Sequence, residues 1–103
     1  MAVVQLRRYQ LSENTLTEWV EHWREDVVGL REEYGFRVLF AYADHVNDQF
    51  IWALSYDGTA EECAARDREY HASPEWEKAN AGKNGTILRT TISIAEEVCP
   101  LGE

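Results

Sequence analysis

Asp67 and His71 stand four residues apart in a segment, Thr59 to His71, whose spacing predicts a helix. Side chains at that separation share a helix face and can touch. A carboxylate beside an imidazole can fix its tautomer and raise its basicity, which general-base chemistry requires. At about 100° per residue, Cys63, Asp67 and Tyr70 fall on one stripe with His71 at its edge, so this face is expected to meet a sheet. An ordinary helical ion pair at the rim is the competing reading and stands ahead, because structural pairs also perturb titration. A predicted first strand puts Gln5, Arg7 and Tyr9 on one face. Arg7 is suited to holding a carboxylate or enolate, and Tyr9 to donating a proton. Equally, Arg7 can pair with one of the 19 acidic residues and Tyr9 can cap a core. Arg66 is either an anion clamp or a rim partner of Glu62 or Glu69.

The other candidates are weaker. His22 and Asp26 repeat the four-residue spacing, but His22 is expected toward solvent. His45 falls in a loop. Three histidines scattered in this way do not make a metal site. Cys63 on an alanine-rich face reads as a small apolar filler more readily than as a nucleophile. Trp19, Trp23, Tyr42, Trp52 and Tyr56 can wall a pocket for a flat ligand, although most of them must serve as core. The chain has no Gly-x-Gly-x-x-Gly, no phosphate-binding Gly-rich loop and no Gly-x-Ser-x-Gly, so a nucleotide cofactor is not expected, and no cofactor is assigned.

Composition narrows the partners. The net charge of −9 over 103 residues disfavours nucleic acid and anionic membrane surfaces. No apolar run approaches the ~20 residues that span a bilayer. The first eleven residues alternate and carry Arg7 and Arg8, unlike a signal peptide, so a cytoplasmic protein is the expectation. Cys63 and Cys99 are too few for a disulfide framework and are expected as thiols. Asn84-Gly85-Thr86 reads as a turn.

These residues need elements to position them. Val3 to Leu11 reads as a strand. Thr15 and Glu18 have capping-box spacing and open a helix. Its stripe is Leu16, Trp19, Val20, Trp23, Val27, Leu30 and Tyr34, and Gly35 stops it. Strands follow at Phe36–Asp44 and Gln49–Asp57. Thr59 and Glu62 cap the second helix, and Ser73-Pro74 starts a short third one. Thr86 to Ala95 is the last strand. The order βαββαβ is the ferredoxin-like split unit, an α+β fold with a four-stranded antiparallel sheet. One domain is expected over residues 1–95, with a tail at 96–103. The hairpin reads apolar on both faces: Phe36, Val38, Phe40 and Tyr42 against Leu39, Ala41 and Ala43, then Phe50, Trp52, Leu54 and Tyr56 against Ile51 and Ala53. Two helices cover only one face of such a sheet. A second copy of the chain is the economical cover for the other, so a homodimer is expected.

The strand Val4-Gln5-Leu6-Arg7-Arg8-Tyr9 with Leu11 is similar to the opening strand of NIPSNAP-type domains. Trp52 to Asp57, Glu61-Glu62 and Ala64-Ala65-Arg66 resemble that family's third strand and second helix. Ser73-Pro74-Glu75-Trp76 resembles its Asp-Pro-x-Trp turn, with Ser in place of Asp. The resemblance covers roughly residues 3–95 and implies a dimeric α+β barrel. Related barrels include cofactor-independent monooxygenases, polyketide cyclases, haem-degrading enzymes and binding proteins, and fold alone does not choose among them. An apolar or small residue is usual in the family where His71 stands, so this histidine marks a departure.

Together these readings point to a small, largely apolar or aromatic metabolite held between sheet and helices. His71, Asp67 and Tyr9 are the catalytic candidates. Arg7, Trp23, Tyr42, Trp52, Tyr56, Arg66 and Tyr70 are the binding candidates. The chemistry would be proton transfer: cyclisation, isomerisation or oxygenation. A non-catalytic binding or assembly dimer is the alternative.

Overall fold

Strand β1 (Ala2–Leu11) leads into helix α1 (Leu16–His22), a π-helical turn (Trp23–Val27) and α2 (Val28–Glu33). A hairpin of β2 (Phe36–Asp44) and β3 (Gln49–Asp57) follows, then α3 (Ala60–His71), α4 (Pro74–Ala79) and β4 (Ile87–Ala95). The computed structural model describes residues 2–83, 85–96 and 98. Cys99, Asn84 and most of the expected tail lie outside the described residues. The sheet order is β2-β3-β1-β4 with every pairing antiparallel, the ferredoxin-like arrangement.

Alternation gives β1 one buried face, made of Gln5, Arg7, Tyr9 and Leu11. Its neighbour β3 buries Phe50, Trp52 and Leu54 toward the same side. Trp19, Trp23 and Val27 pack onto them from the first helical segment, with Trp23 edge-on to both Phe50 and Trp52. Thr59 and Glu62 form the expected reciprocal capping box on α3. Ser73 caps α4 ahead of Pro74. Gly35 ends α2 with φ +88°, where a side chain would be strained.

Three local expectations are corrected. Thr15 precedes α1, but its hydroxyl donates to the Ser12 carbonyl and makes no capping box. In β2, a bulge between Val38 and Phe40 shifts the pairing by one residue. A one-residue slip exchanges the faces. Ala41 and Ala43 therefore join Phe36 and Val38 on the helix side, while Phe40 and Tyr42 turn to the outer face; Tyr42 is 65% exposed.

The third correction concerns the first helix. At ~100° per residue, Leu30 and Tyr34 should lie within about 20° of Trp23, and Arg31 about 80° away. A π turn carries an extra residue, so everything after it is turned back by about 100°. Arg31 then comes to the middle of the inward stripe. It is buried, whereas Leu30 and Tyr34 are only half-buried.

Candidate functional site

A cavity of about 240 Å³ opens between the sheet and the helices. Its floor is Arg7 and Tyr9 of β1 with Trp52 of β3; Trp19, Val27 and Arg31 close one side, and Tyr70, His71, Trp76 and Asn80 the other. Ile87, Thr90 and Ile92 of β4 complete the wall. Ile92 is paired with Arg7 and so faces the helix side, yet it is 48% exposed.

Beneath the cavity lies a buried ionic network. Arg7 donates from Nε to Gln5 Oε1 at 3.2 Å, from Nη1 to the Tyr9 hydroxyl at 3.3 Å and from Nη2 to both Asp67 oxygens at 3.1 Å. Arg31 reaches the same carboxylate, with Nη1 donating to Oδ1 at 2.6 Å. Its guanidinium carbon lies 3.8 Å from the Tyr70 ring centroid, and Phe36 and Trp52 flank it. Burial works against a charged Asp67, but the hydrogen bond from Arg31 and the charges of Arg7 and Arg31 outweigh it, holding the carboxyl below its ordinary range. Burial, aided by Arg7, lowers the pKa of Arg31. Desolvation also pushes the Tyr70 phenol upward.

His71 sits at the rim, its side chain 40% exposed. Nδ1 lies 2.8 Å from the backbone carbonyl of Asp67. A carbonyl can only accept, so Nδ1 carries the proton and the neutral ring keeps its lone pair on Nε2. The expected orientation by the Asp67 carboxylate takes a different form: its oxygen is 3.5 Å from Nδ1, and its hydrogen bonds come from the two arginines. Desolvation lowers the His71 pKa, the Asp67 backbone bond and charge oppose this, and Arg31 and Arg7 add to the lowering; the net shift is downward. The basicity is therefore not raised as the pairing suggested. The tautomer is fixed, but by the main chain.

The structure brings together Arg7, Tyr9, Trp52, Tyr70 and His71 at the cavity, with Asp67 directly behind it. It leaves out four of the expected binding residues. Trp23 is core beneath Trp52 and Phe50. Tyr42 is on the opposite face of the sheet, as the bulge requires. Tyr56 packs on Phe36, away from the cavity wall. Arg66 donates from Nε to the Tyr34 carbonyl and from Nη1 to Glu69, tying α3 to the end of α2. Cys63 is buried under Gln5, and desolvation pushes its thiol upward, as a filler residue requires.

Arg31, Trp76 and Asn80 are among the cavity residues that escaped the sequence reading. Arg31 was hidden by the assumption of a uniform helix; the four-residue steps Trp19, Trp23, Val27, Arg31 were the available signal. Asn80 carried no signal. His22 is the other reversal: it is 4% exposed, not solvated, with Nδ1 2.9 Å from Asp26 Oδ2 and Nε2 3.3 Å from Asn80 Oδ1. Asn80 Nδ2 in turn donates to the Trp76 carbonyl. These contacts fasten α4, which supplies Trp76 to the cavity, and its capping residue Asn80 onto α1.

Among the described residues, no group of three His, Cys, Asp or Glu side chains is placed to hold a metal, and no helix is long and apolar enough to cross a membrane. None of the curated proteins matches the chain in sequence. Solved structures do match in fold. A NIPSNAP family protein of Agrobacterium tumefaciens strain C58 superposes with TM-score 0.83 at 15% identity, covering 98% of this chain and 99% of that one. An uncharacterized NIPSNAP-like domain protein of Burkholderia xenovorans gives 0.81 at 19%, covering 96% and 89%. A candidate antibiotic biosynthesis monooxygenase of Bacteroides thetaiotaomicron gives 0.70 at 21%, covering 99% and 94%. These identities establish a shared fold. The NIPSNAP family model matches residues 4–96, nearly the whole chain, and the protein belongs to the NIPSNAP family.

Proposed function

We propose that the cavity is the active site of a small-molecule enzyme that moves protons without a bound cofactor. One observation carries this reading: a histidine with its lone pair fixed on Nε2 stands at the wall of a cavity backed by two guanidiniums. Nε2 would take a proton from a carbon next to a carbonyl. The electron pair would move to the carbonyl oxygen, where Arg7 and Tyr9 can meet it. The Tyr9 hydroxyl accepts from Arg7, which leaves its own proton for another acceptor. Returning the proton to a second carbon isomerises the substrate. Attack of the carbanion on a second carbonyl cyclises it, and its reaction with dioxygen oxygenates it. The substrate proposed is a compact, largely apolar or aromatic metabolite, and the kinship in fold with a candidate antibiotic biosynthesis monooxygenase supports oxygenation as one of these outcomes.

The test does not require the natural substrate. Aryl ketones incubated with the protein in deuterated water should exchange their α-protons faster than in buffer, and His71→Gln should abolish the gain. Exchange that is unchanged in that variant would favour the alternative, a non-catalytic binding protein.

The working form is proposed to be a homodimer. The outer face of the sheet carries Leu6, Phe40 and Tyr42, all exposed. A second copy would cover them, and an obligate dimer buries on the order of 2,000 Å² or more. Sedimentation velocity at micromolar concentration should give a dimer, and a stable monomer would refute it.

A further inference from the structure

The charges on the cavity wall are one-sided. Arg7 and Arg31 both line it, whereas no Asp or Glu does among the described residues. Among the described residues, Asp67, behind the wall, is the one carboxylate hydrogen-bonded to either guanidinium. Two positive charges against one negative leave the site with one charge uncompensated, inside a protein whose net charge is −9. Isolated buried charge is costly, so an occupant that neutralises it is favoured. The hydrogen-bonding inventory points the same way. Four buried side-chain polar atoms lack a partner among the described residues: Nε1 of Trp19, Trp23 and Trp52, and Nε of Arg31. All four are donors, and three of them belong to residues of the cavity wall. Among the described residues, the buried side-chain groups left unpaired are donors and not acceptors.

We infer that the cavity takes a ligand that arrives as an anion, a planar oxyanion on an aromatic body, whose negative oxygen docks against Arg7 and Arg31. The flat rings of Trp52, Tyr70 and Trp76 suit the aromatic part. The oxyanion can be a carboxylate or the ionised oxygen of an enol or phenol; their shared chemistry is a delocalised negative oxygen, which guanidinium recognises with two donors. This inference rests on the proposed active site and narrows its substrate class.

The test uses unreactive probes on the wild-type protein. The first pair is 4-nitrobenzoate and its neutral counterpart 4-nitrobenzamide, followed by NMR at His71 and the cavity tryptophans. The second pair is 4-nitrophenol and 4-nitroanisole, the phenol being read by the yellow colour of its phenolate. Binding of either anion at least tenfold tighter than its neutral partner is expected, and Arg31→Gln should remove the preference while the neutral probe still binds. Preference within the first pair assigns a carboxylate; deepened phenolate colour on binding assigns an enol or phenol. Equal affinity for anion and neutral partner would overturn the inference and leave the pocket standing. A cavity that binds none of the four would overturn the inference and the pocket together. The comparison on the wild type decides the question even if Arg31→Gln does not fold.

Discussion

Arg31 Nη1 and Asp67 Oδ1 are 2.6 Å apart, and this contact joins α2 to α3 behind the cavity. Arg7 shares the same carboxylate from the sheet, so one acid separates two guanidiniums. Asp67→Asn would leave two cations facing each other out of water. Breaking a buried pair from one side typically costs about 3–5 kcal/mol. Denaturant titration of the variant should show a loss of that order. A variant as stable as the parent would mean that the network contributes little.

The pH dependence of stability follows from the same groups. The Asp67 carboxyl lies below its ordinary value of 3.8 in the fold. Its contribution is full above that value and is lost as pH falls through the lower folded one. His71 is also shifted downward, from 6.5. The unfolded chain binds that proton more readily, so stability again falls as pH drops below about 6.5. Denaturation midpoints should therefore rise with pH across both windows. His71→Gln should flatten the upper one, and Asp67→Asn the lower one.

His71→Gln keeps the size of a polar side chain at the rim and removes the base. Turnover should fall by about 10²–10⁴-fold once a substrate is in hand, with the melting profile little changed. NMR should place the proton of neutral His71 on Nδ1 and its titration midpoint below the ordinary value. A midpoint at that value, with the proton on Nε2, would remove the case for it as a base.

Trp23 lies beneath Phe50 and Trp52 and does not line the cavity. Trp23→Ala should cost about 3–5 kcal/mol as a large-to-small core change. Ligand affinity should follow the folded fraction and no more.

The π turn is predicted to be what aims Arg31. Deleting the exposed Glu25 should return the segment to an ordinary helix and rotate α2 by about 100°. Arg31 would then leave Asp67. In a double-mutant cycle, Arg31→Gln should cost much less in the deletion background than in the parent. Additive losses would show that Arg31 keeps its place without the π turn.

The strand and helix order could be read from the sequence because period-2 and period-3.6 patterns are local. Capping at Thr59 and Ser73 was legible for the same reason: each cap involves residues three apart. The pairing of Arg7 and Tyr9 on one strand face, and the place of His71 beside Asp67, were likewise set by spacing. What failed was each inference that ran a period through an irregularity. The bulge near Leu39 carried Tyr42 to the other face, and the π turn carried Arg31 inward in place of Leu30 and Tyr34. Each inserts one residue, and its effect depends on which register lets the neighbouring layer pack. His22 was misplaced because its surroundings include a distant partner, Asn80, 58 residues later. Asp67 was rightly put on the inward face of α3, but its partners were settled only when β1 and α2 met around it. Charge compensation among Arg7, Arg31 and Asp67 is a property of three elements packed together, and no single stretch of sequence contains it.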